Sequence, residues 1–177
     1  MIVVLVNGFP ACGKDTFIDL ASEEYKCYRH STIDACKVFA QLMGWDGKKD
    51  TPLRKMLSDL KKLYAEHFDG PMSDLARAIL ANKGKYDFFF TSSREGKEIY
   101  RIKCWCEHNN IPFYYIFIVR KDVPAYDYGN DSDNDVCSST LVSPNYLCYN
   151  KWGDKEGYKE EVVRVMKDVL KKFDYNI

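Results

Sequence analysis

The first residues of the chain join an uninterrupted apolar run to a glycine-rich turn. Residues 2–6, Ile-Val-Val-Leu-Val, contain no polar side chain and lead directly into the turn that holds Gly8. A strand in the interior of a parallel sheet has this kind of sequence because both of its faces are covered. Gly13 and Lys14 follow and open a segment with helical character. The stretch therefore predicts a buried strand, a glycine loop and the beginning of a helix.

The spacing of the two glycines and the lysine matches the pattern G-x-x-x-x-G-K of a phosphate-binding loop. Glycines let successive backbone N–H groups approach an anion without a Cβ in the way. The following helix adds its free N–H groups and the positive end of its dipole, and the lysine supplies an ammonium group for the outer phosphates. We therefore predict that this loop binds nucleotide phosphates through Gly8, Ala11, Cys12, Gly13, Lys14, Asp15 and Thr16.

Asp15 occupies the position at which the pattern has serine or threonine, and Thr16 follows it. A carboxylate in the first helical turn gains about 0.3 to 1 kcal/mol from the helix dipole, yet it repels a bound triphosphate unless a positive group lies between them. Mg²⁺ is one candidate for that group, so we hypothesise that Asp15 helps to hold Mg²⁺. In the alternative, Asp15 only caps the helix and faces away from the phosphates.

Composition limits the remaining choices. The 177 residues, of which 46% are hydrophobic and 15% aromatic, predict one folded domain that spans the whole chain. Lysine plus arginine and aspartate plus glutamate both number 26, so no general basic field predicts a nucleic-acid partner. The apolar runs are too short for a secretion signal or a membrane span. Seven cysteines without a paired C-x-x-C spacing favour reduced thiols in a cytoplasmic protein.

Apolar strands and amphipathic helices alternate along the rest of the chain, which predicts an α/β protein with a parallel sheet between two layers of helices. In the helix predicted at residues 33–43, Val38, Phe39 and Leu42 form an apolar face. Further strands are predicted at residues 25–30, 86–91, 111–119 and 146–149, and further helices at residues 15–24, 53–67, 73–82, 95–109 and 155–173.

Ligands of a parallel sheet bind beyond the carboxyl ends of its strands. This rule selects the glycine loop, Arg94 after the strand at 86–91, Arg120 after the strand at 111–119, and Asn150 after the last strand. Two of these corners provide a guanidinium group on the edge where the loop would hold its anion. We therefore predict a catalytic or phosphate-binding role for Arg94 and Arg120.

These residues carry a resemblance to a known family. The loop with its Gly-Lys-Asp-Thr ending, Arg94 with Glu98 after one strand, and Val119-Arg120 after another resemble the phage-type deoxynucleoside monophosphate kinases, which belong to the P-loop kinases. Lys37 and Asn150 resemble positions of that family as well. The Gly-Lys-Asp variant of the loop also occurs in the related phosphomevalonate kinases. The likeness extends over most of the chain.

The resemblance implies transfer of the γ-phosphoryl group of ATP to a nucleoside monophosphate, with Mg²⁺. Lys14 would hold the β and γ phosphates, and Arg94 and Arg120 would neutralise the acceptor phosphate or the transition state. Residues 33–82 would form a helical acceptor-binding flap, and residues 121–145 would take the place of a lid. The implied polar contacts to the acceptor are Asp34, Lys37, Arg54 and Glu98, and Asn150 would lie at the nucleotide.

The chain departs from the family at two places. Ser92 stands where the family has an aspartate two residues before the strand-end arginine, and the lid segment is acidic, with no arginine between Lys121 and Tyr149. Two alternatives therefore stay open: a kinase of another small phosphorylated metabolite, and a nucleotide-binding protein with little catalysis.

A nucleotide acceptor calls for an aromatic side chain that stacks on the base, for which Trp45, Tyr64 and Phe68 are candidates. The sequence also leaves open a homodimer.

Overall fold

A computed structural model describes residues 1–48, 51–120, 141–151 and 153–175, except for the side chains of Thr51 and Arg54. Most of the predicted lid, residues 121–140, lies outside this part of the chain. The described strands are β1 (Ile2–Gly8), β2 (Cys27–Arg29), β3 (Phe88–Thr91), β4 (Phe113–Val119) and β5 (Tyr146–Tyr149). The described helices are α1 (Lys14–Glu24), α2 (Asp34–Leu42), α3 (Thr51–Phe68), α4 (Gly70–Asn82), α5 (Gly96–His108) and α6 (Lys155–Lys172).

The five strands form one parallel sheet in the order β2-β3-β1-β4-β5. β1 is the central strand, and all seven of its residues are buried. Its side chains alternate between two cores: Val4 packs on the side of α1 and α6, whereas Leu5 packs on the side of α4 and α5. The predicted three-layer α/β fold is confirmed, and the central position of β1 explains why its sequence is apolar at every position.

The helices between β2 and β3 belong to two different packing units. Met72, Leu75 and Ile79 of α4 join the core that covers one face of the sheet. In contrast, α2 and α3 form a small separate cluster around Cys36, Ala40 and Leu57. The acceptor-binding flap predicted at residues 33–82 therefore contains one helix that is packed on the sheet and two that share their own core. Its role in binding stays a prediction.

The apolar face predicted for α2 lies on the outside of the molecule. Val38, Phe39 and Leu42 are 58%, 51% and 81% exposed, respectively. The side of α2 that faces α3 carries Cys36 and Ala40 instead, since small side chains allow the two helices to approach closely. The largest apolar residues of this short helix therefore do not identify its buried face.

The break predicted between the third and fourth helices is reduced to one residue. Asp69 has a positive φ of 50°, and α4 begins immediately after it at Gly70. Pro71 lies in the first turn of α4, where its missing N–H group would have no helical partner in any case. Among the described helices, none has the length and apolar character that a membrane span requires.

Candidate active site

The glycine loop connects β1 to α1 at the carboxyl edge of the sheet, as predicted. Gly8 has a φ of 143°, and a Cβ there would lie 2.6 Å from the carbonyl oxygen of Ile118 on β4. Gly13 has a φ of 97°, and a Cβ there would lie 2.4 Å from Nδ2 of Asn150. Both positions therefore require glycine, because the backbone conformation and the close neighbours exclude a side chain.

Donors from three other parts of the chain hold the carbonyl groups of the loop. Arg120 donates from Nη1 to the carbonyl oxygen of Ala11 at 2.7 Å, and Asn150 donates from Nδ2 to that of Cys12 at 2.9 Å. The hydroxyl of Tyr158 on α6 donates to the carbonyl oxygen of Gly13 at 3.0 Å. In a trans peptide the N–H group points opposite to the C=O group, so the N–H groups of Cys12, Gly13 and Lys14 point away from these donors. The N–H group of Cys12 donates to the carbonyl oxygen of Phe9 at 3.2 Å, so an anion would be met by those of Gly13 and Lys14. This arrangement suits a loop that binds an anion.

Lys14 folds back over the loop. Its Nζ atom donates to the carbonyl oxygens of Gly8 and Phe9 at 2.6 and 2.8 Å, and it lies 3.6 Å from Sγ of Cys12. The pKa of Lys14 is lowered to about 8, mainly by burial; Cys12 opposes this shift, and the charge of Arg94 contributes to it. The loop thus holds an ammonium group that has lost much of its water, and a bound phosphate would stabilise its charged form.

The loop opens into a cleft with a volume of about 740 Å³. Among the described residues, six lysines and arginines line this cleft against three carboxylates, so this part of the lining has a positive net charge. The six cationic residues are Lys14, Arg29, Lys37, Lys61, Arg94 and Arg120, and the carboxylates belong to Asp15, Asp34 and Glu95. A cleft of this size and charge can accept an anionic small molecule together with nucleotide phosphates.

Arg29 is a cleft residue that the sequence did not suggest. It is the last residue of β2, and its Nη2 atom donates to Oδ1 of Asp15 in the first turn of α1. Both side chains are accessible, at 48% for Arg29 and 65% for Asp15. Asp15 therefore already has a positive partner in the protein itself.

The wall opposite the loop contains a buried ion pair that joins α3 to α5. Lys61 donates from Nζ to Oε2 of Glu98 at 2.8 Å and to Oε1 of Glu95 at 3.1 Å. Glu98 also accepts hydrogen bonds from the hydroxyls of Thr32 and Ser93. Burial lowers the pKa of Lys61, but the two carboxylates raise it more, so the net change is upward. Lys61 therefore stays charged, and Oε2 of Glu98 accepts from Lys61, Thr32 and Ser93.

Asp34 and Lys37 lie in the same half of the cleft at the beginning of α2. Asp34 accepts from the backbone N–H of Ser31 and from Nζ of Lys37, both at 2.7 Å. Burial raises the pKa of Asp34, but these hydrogen bonds lower it more, so its pKa lies below the usual value. The pair offers an acceptor one anionic and one cationic group. Arg54 was predicted to join this set, but its side chain lies outside the described part of the chain.

Of the three aromatic candidates for stacking on a base, Trp45 lines the cleft. The hydroxyl of Tyr64 donates instead to Asp74 at 2.9 Å, and its ring lies against Gly70. Phe68 is 74% exposed on another surface. Trp45 is the single aromatic residue among the described residues of the cleft lining.

The residues present fit Mg²⁺ only as an ion carried by the nucleotide. Among the described residues, no group of three or more His, Cys, Asp and Glu side chains could hold a metal ion. Mg²⁺ in nucleotide sites keeps several waters and takes few oxygens from the protein, the rest coming from phosphates. The hydroxyls of Thr16 and Ser92 line the cleft and are suitable oxygens, whereas the carboxylate of Asp15 is paired with Arg29.

The cleft brings together most of the predicted site residues, but three of its charged residues, Arg29, Lys61 and Glu95, were missed. Gly8, Cys12 and Glu98 lie behind its surface. The missed Arg29 ends a strand, so the strand-end rule could have found it. The missed Lys61 lies one helical turn after the buried Leu57, which marks it as a residue at the border of the apolar stripe. The predicted residues that line the cleft are Ala11, Gly13, Lys14, Asp15, Thr16, Asp34, Lys37, Arg94, Arg120 and Asn150.

No family model and no curated protein matches the chain. Solved structures match it over nearly their full length. The tunicamycin resistance protein of Deinococcus radiodurans is 10% identical with a TM-score of 0.55, and 95% of each chain is covered. A sugar kinase from Janibacter sp. is 12% identical with a TM-score of 0.51, over 94% of this chain and 93% of that chain. A shikimate kinase from Bacteroides thetaiotaomicron is 11% identical with a TM-score of 0.51, over 95% and 98%.

At such low identities these matches establish the fold alone. The protein has the fold of these three proteins, two of which are kinases of small molecules, and the comparisons do not single out the deoxynucleoside monophosphate kinases.

Proposed function

We propose that this protein is a kinase that transfers the γ-phosphoryl group of ATP to a nucleoside or deoxynucleoside monophosphate. The proposal depends on the position of Lys14. Its ammonium group lies buried over the glycine loop, at one end of a positively charged cleft. A purely structural role does not account for a lysine at this position, because burial disfavours its charge, and one of the two carbonyls that it contacts, that of Phe9, already accepts the N–H group of Cys12.

In the proposed reaction the loop N–H groups and Lys14 bind the β and γ phosphates of ATP. Arg94 and Arg120 reach the cleft from the ends of two strands and would neutralise the charge of the transferred group. Arg120 also holds the carbonyl of Ala11, so one side chain both shapes the loop and places charge beside it. Positioning and neutralisation supply most of the rate of phosphoryl transfer, so a nucleophilic side chain is not required.

Mg²⁺ bound to the nucleotide would neutralise the phosphates further, with the hydroxyls of Thr16 and Ser92 as its protein ligands. The metal role predicted for Asp15 competes with Arg29 for the same carboxylate.

The acceptor would bind in the half of the cleft formed by Asp34, Lys37 and Trp45. Lys37 supports an anionic acceptor, since its ammonium group lies on the cleft surface beside a single carboxylate. Trp45 supports a nucleotide because its indole ring can stack on a base. Its indole N–H donates to the backbone oxygen of Lys48 at 2.8 Å, which fixes the ring.

A second candidate is a small phosphorylated metabolite other than a nucleotide. The lining of the cleft favours this second candidate, because Trp45 is the single aromatic side chain among the described lining residues. Hydroxyl groups and the ion-paired side chains of Lys37 and Lys61 predominate in the rest of the lining. A hydroxyl-rich acceptor would use such a wall through hydrogen bonds.

The test is ADP formation from ATP and Mg²⁺ in the presence of a panel of nucleoside and deoxynucleoside monophosphates, with a parallel panel of sugar phosphates. Lys14→Ala is the control for contaminating kinases. Stimulation by a monophosphate that is lost in Lys14→Ala would support the first candidate, and stimulation by a sugar phosphate alone would support the second. ATP binding without stimulation by either panel would contradict both and would favour a nucleotide-binding protein with little catalysis.

A further inference from the structure

We propose that Arg29 is a phosphate-binding residue of the cleft and that Asp15 is its anchor. The inference rests on the proposed function, because it assigns these residues to the binding of ATP. It differs from the sequence hypothesis, in which Asp15 serves a metal ion.

The backbone fixes Arg29 at the border between the two halves of the cleft. β2 pairs with β3 so that Arg29 lies opposite Phe90, and the N–H group of His30 donates to the carbonyl oxygen of Phe90 at 3.0 Å. The chain then continues into Ser31, Thr32, Ile33 and Asp34, all of which line the acceptor half. Arg29 itself reaches the other half, where it contacts the first turn of α1. Its guanidinium group therefore lies beside the phosphate loop, at the point where the chain enters the acceptor half.

Asp15 presents an electrostatic problem that Arg29 solves. Its carboxylate directly follows Lys14 and lines the same cleft, so an unpaired charge here would repel a nucleotide phosphate. The guanidinium group of Arg29 neutralises it and retains further N–H donors, because the described contacts use one of its five donors on Asp15. A carboxylate that is already paired with a guanidinium group is a weaker ligand for a second cation.

The stability of the fold does not explain why Arg29 and Asp15 form a pair. Both side chains are about half exposed, and exposed ion pairs contribute little to the free energy of unfolding. The protein contains a matched pair outside the cleft, in which Arg101 donates to Asp69 at 2.6 Å with exposures of 54% and 52%. The difference between the two pairs is their position relative to the phosphate loop.

The test compares ATP affinity in four proteins: the wild type, Arg29→Gln, Asp15→Asn and the double variant. Each is titrated with ATP by calorimetry, once with excess EDTA and once with Mg²⁺. We expect Arg29→Gln to weaken ATP binding about tenfold, since a hydrogen bond between charged groups is lost and Asp15 is left unpaired. We expect the double variant to bind ATP about threefold more tightly than Arg29→Gln, since a unit charge roughly 6 Å from a phosphate is removed.

Both effects should persist in EDTA, because they do not depend on a metal. Arg101→Gln is the matched control and should bind ATP as the wild type does. The inference is overturned if Arg29→Gln binds ATP with unchanged affinity. It is also overturned if the double variant binds ATP more weakly than Arg29→Gln in the presence of Mg²⁺ but not in EDTA, because a metal role of Asp15 requires that result. A wild type that binds no ATP would instead overturn the proposed function, and the inference with it.

Discussion

Nucleotide binding at alkaline pH is expected to be coupled to the uptake of a proton by Lys14. The pKa of Lys14 is lowered from its ordinary value of 10.5 to about 8, mainly because the ammonium group is buried. Bound phosphates would bring several negative charges to this group and favour its charged form. The pKa of Lys14 in the complex should therefore return to its ordinary value or rise above it.

The size of the effect follows from these two values. At pH 9, about a tenth of the protein molecules would carry a charged Lys14 before ATP binds, and nearly all of them afterwards. Each bound ATP should therefore take up about 0.9 protons at pH 9, but only about 0.1 at pH 7. The affinity should fall by about tenfold for each pH unit between 8 and 10.5, because the proton must be bound together with the nucleotide.

Isothermal titration calorimetry measures this uptake directly. ATP is titrated at pH 9 in two buffers with different ionisation enthalpies, and the change of the observed enthalpy with buffer gives the number of protons. Lys14→Arg is the control, since a guanidinium group stays charged at this pH and should remove the uptake. An observed enthalpy at pH 9 that is the same in both buffers for the wild type would refute the reasoning.

Three further substitutions test the surroundings of the loop, each by denaturant unfolding. Gly13→Ala should lower the free energy of unfolding by at least about 1 kcal/mol, because alanine would have to adopt a positive φ and its Cβ would clash with Asn150. A variant as stable as the wild type would contradict the described loop. Lys61→Met should lower the free energy of unfolding by about 3 to 5 kcal/mol, because Glu98 loses its buried partner. Adding Glu98→Gln to Lys61→Met should restore part of this stability. If it restores none, the loss comes from packing and not from the unpaired charge. Tyr158→Phe should lower it by about 1 kcal/mol through loss of the hydrogen bond to the carbonyl of Gly13, and a neutral result would argue against that bond.

The sequence predicted the parts of the fold that are encoded locally. A continuous apolar run identifies a central strand whether or not its neighbours are known, and Gly8 and Gly13 mark backbone conformations that other residues avoid. The strand-end rule then placed Arg94, Arg120 and Asn150 on the correct edge, because every strand of a parallel sheet ends on the same side.

What the sequence did not disclose depends on contacts between distant elements. Arg29 lies at the end of the strand predicted at residues 25–30, but the sequence does not disclose that its guanidinium group reaches Asp15 in the first turn of α1. Lys61 resembles any solvated lysine of an amphipathic helix, and its burial depends on two glutamates from another helix. The sequence also did not show which face of α2 is exposed, because the size of Phe39 and Leu42 does not indicate how closely α3 approaches.

The glycine loop is contiguous in sequence, yet the residues that shape it are added to the chain much later. The donors to its carbonyl oxygens lie 109, 138 and 145 residues away along the chain. During synthesis the whole motif therefore emerges before β4, β5 and α6, and its carbonyl groups gain these donors only when those elements have been made. A nucleotide that needs the finished loop can bind only to a chain that has already closed its sheet, so ATP would select completed molecules over partly folded ones.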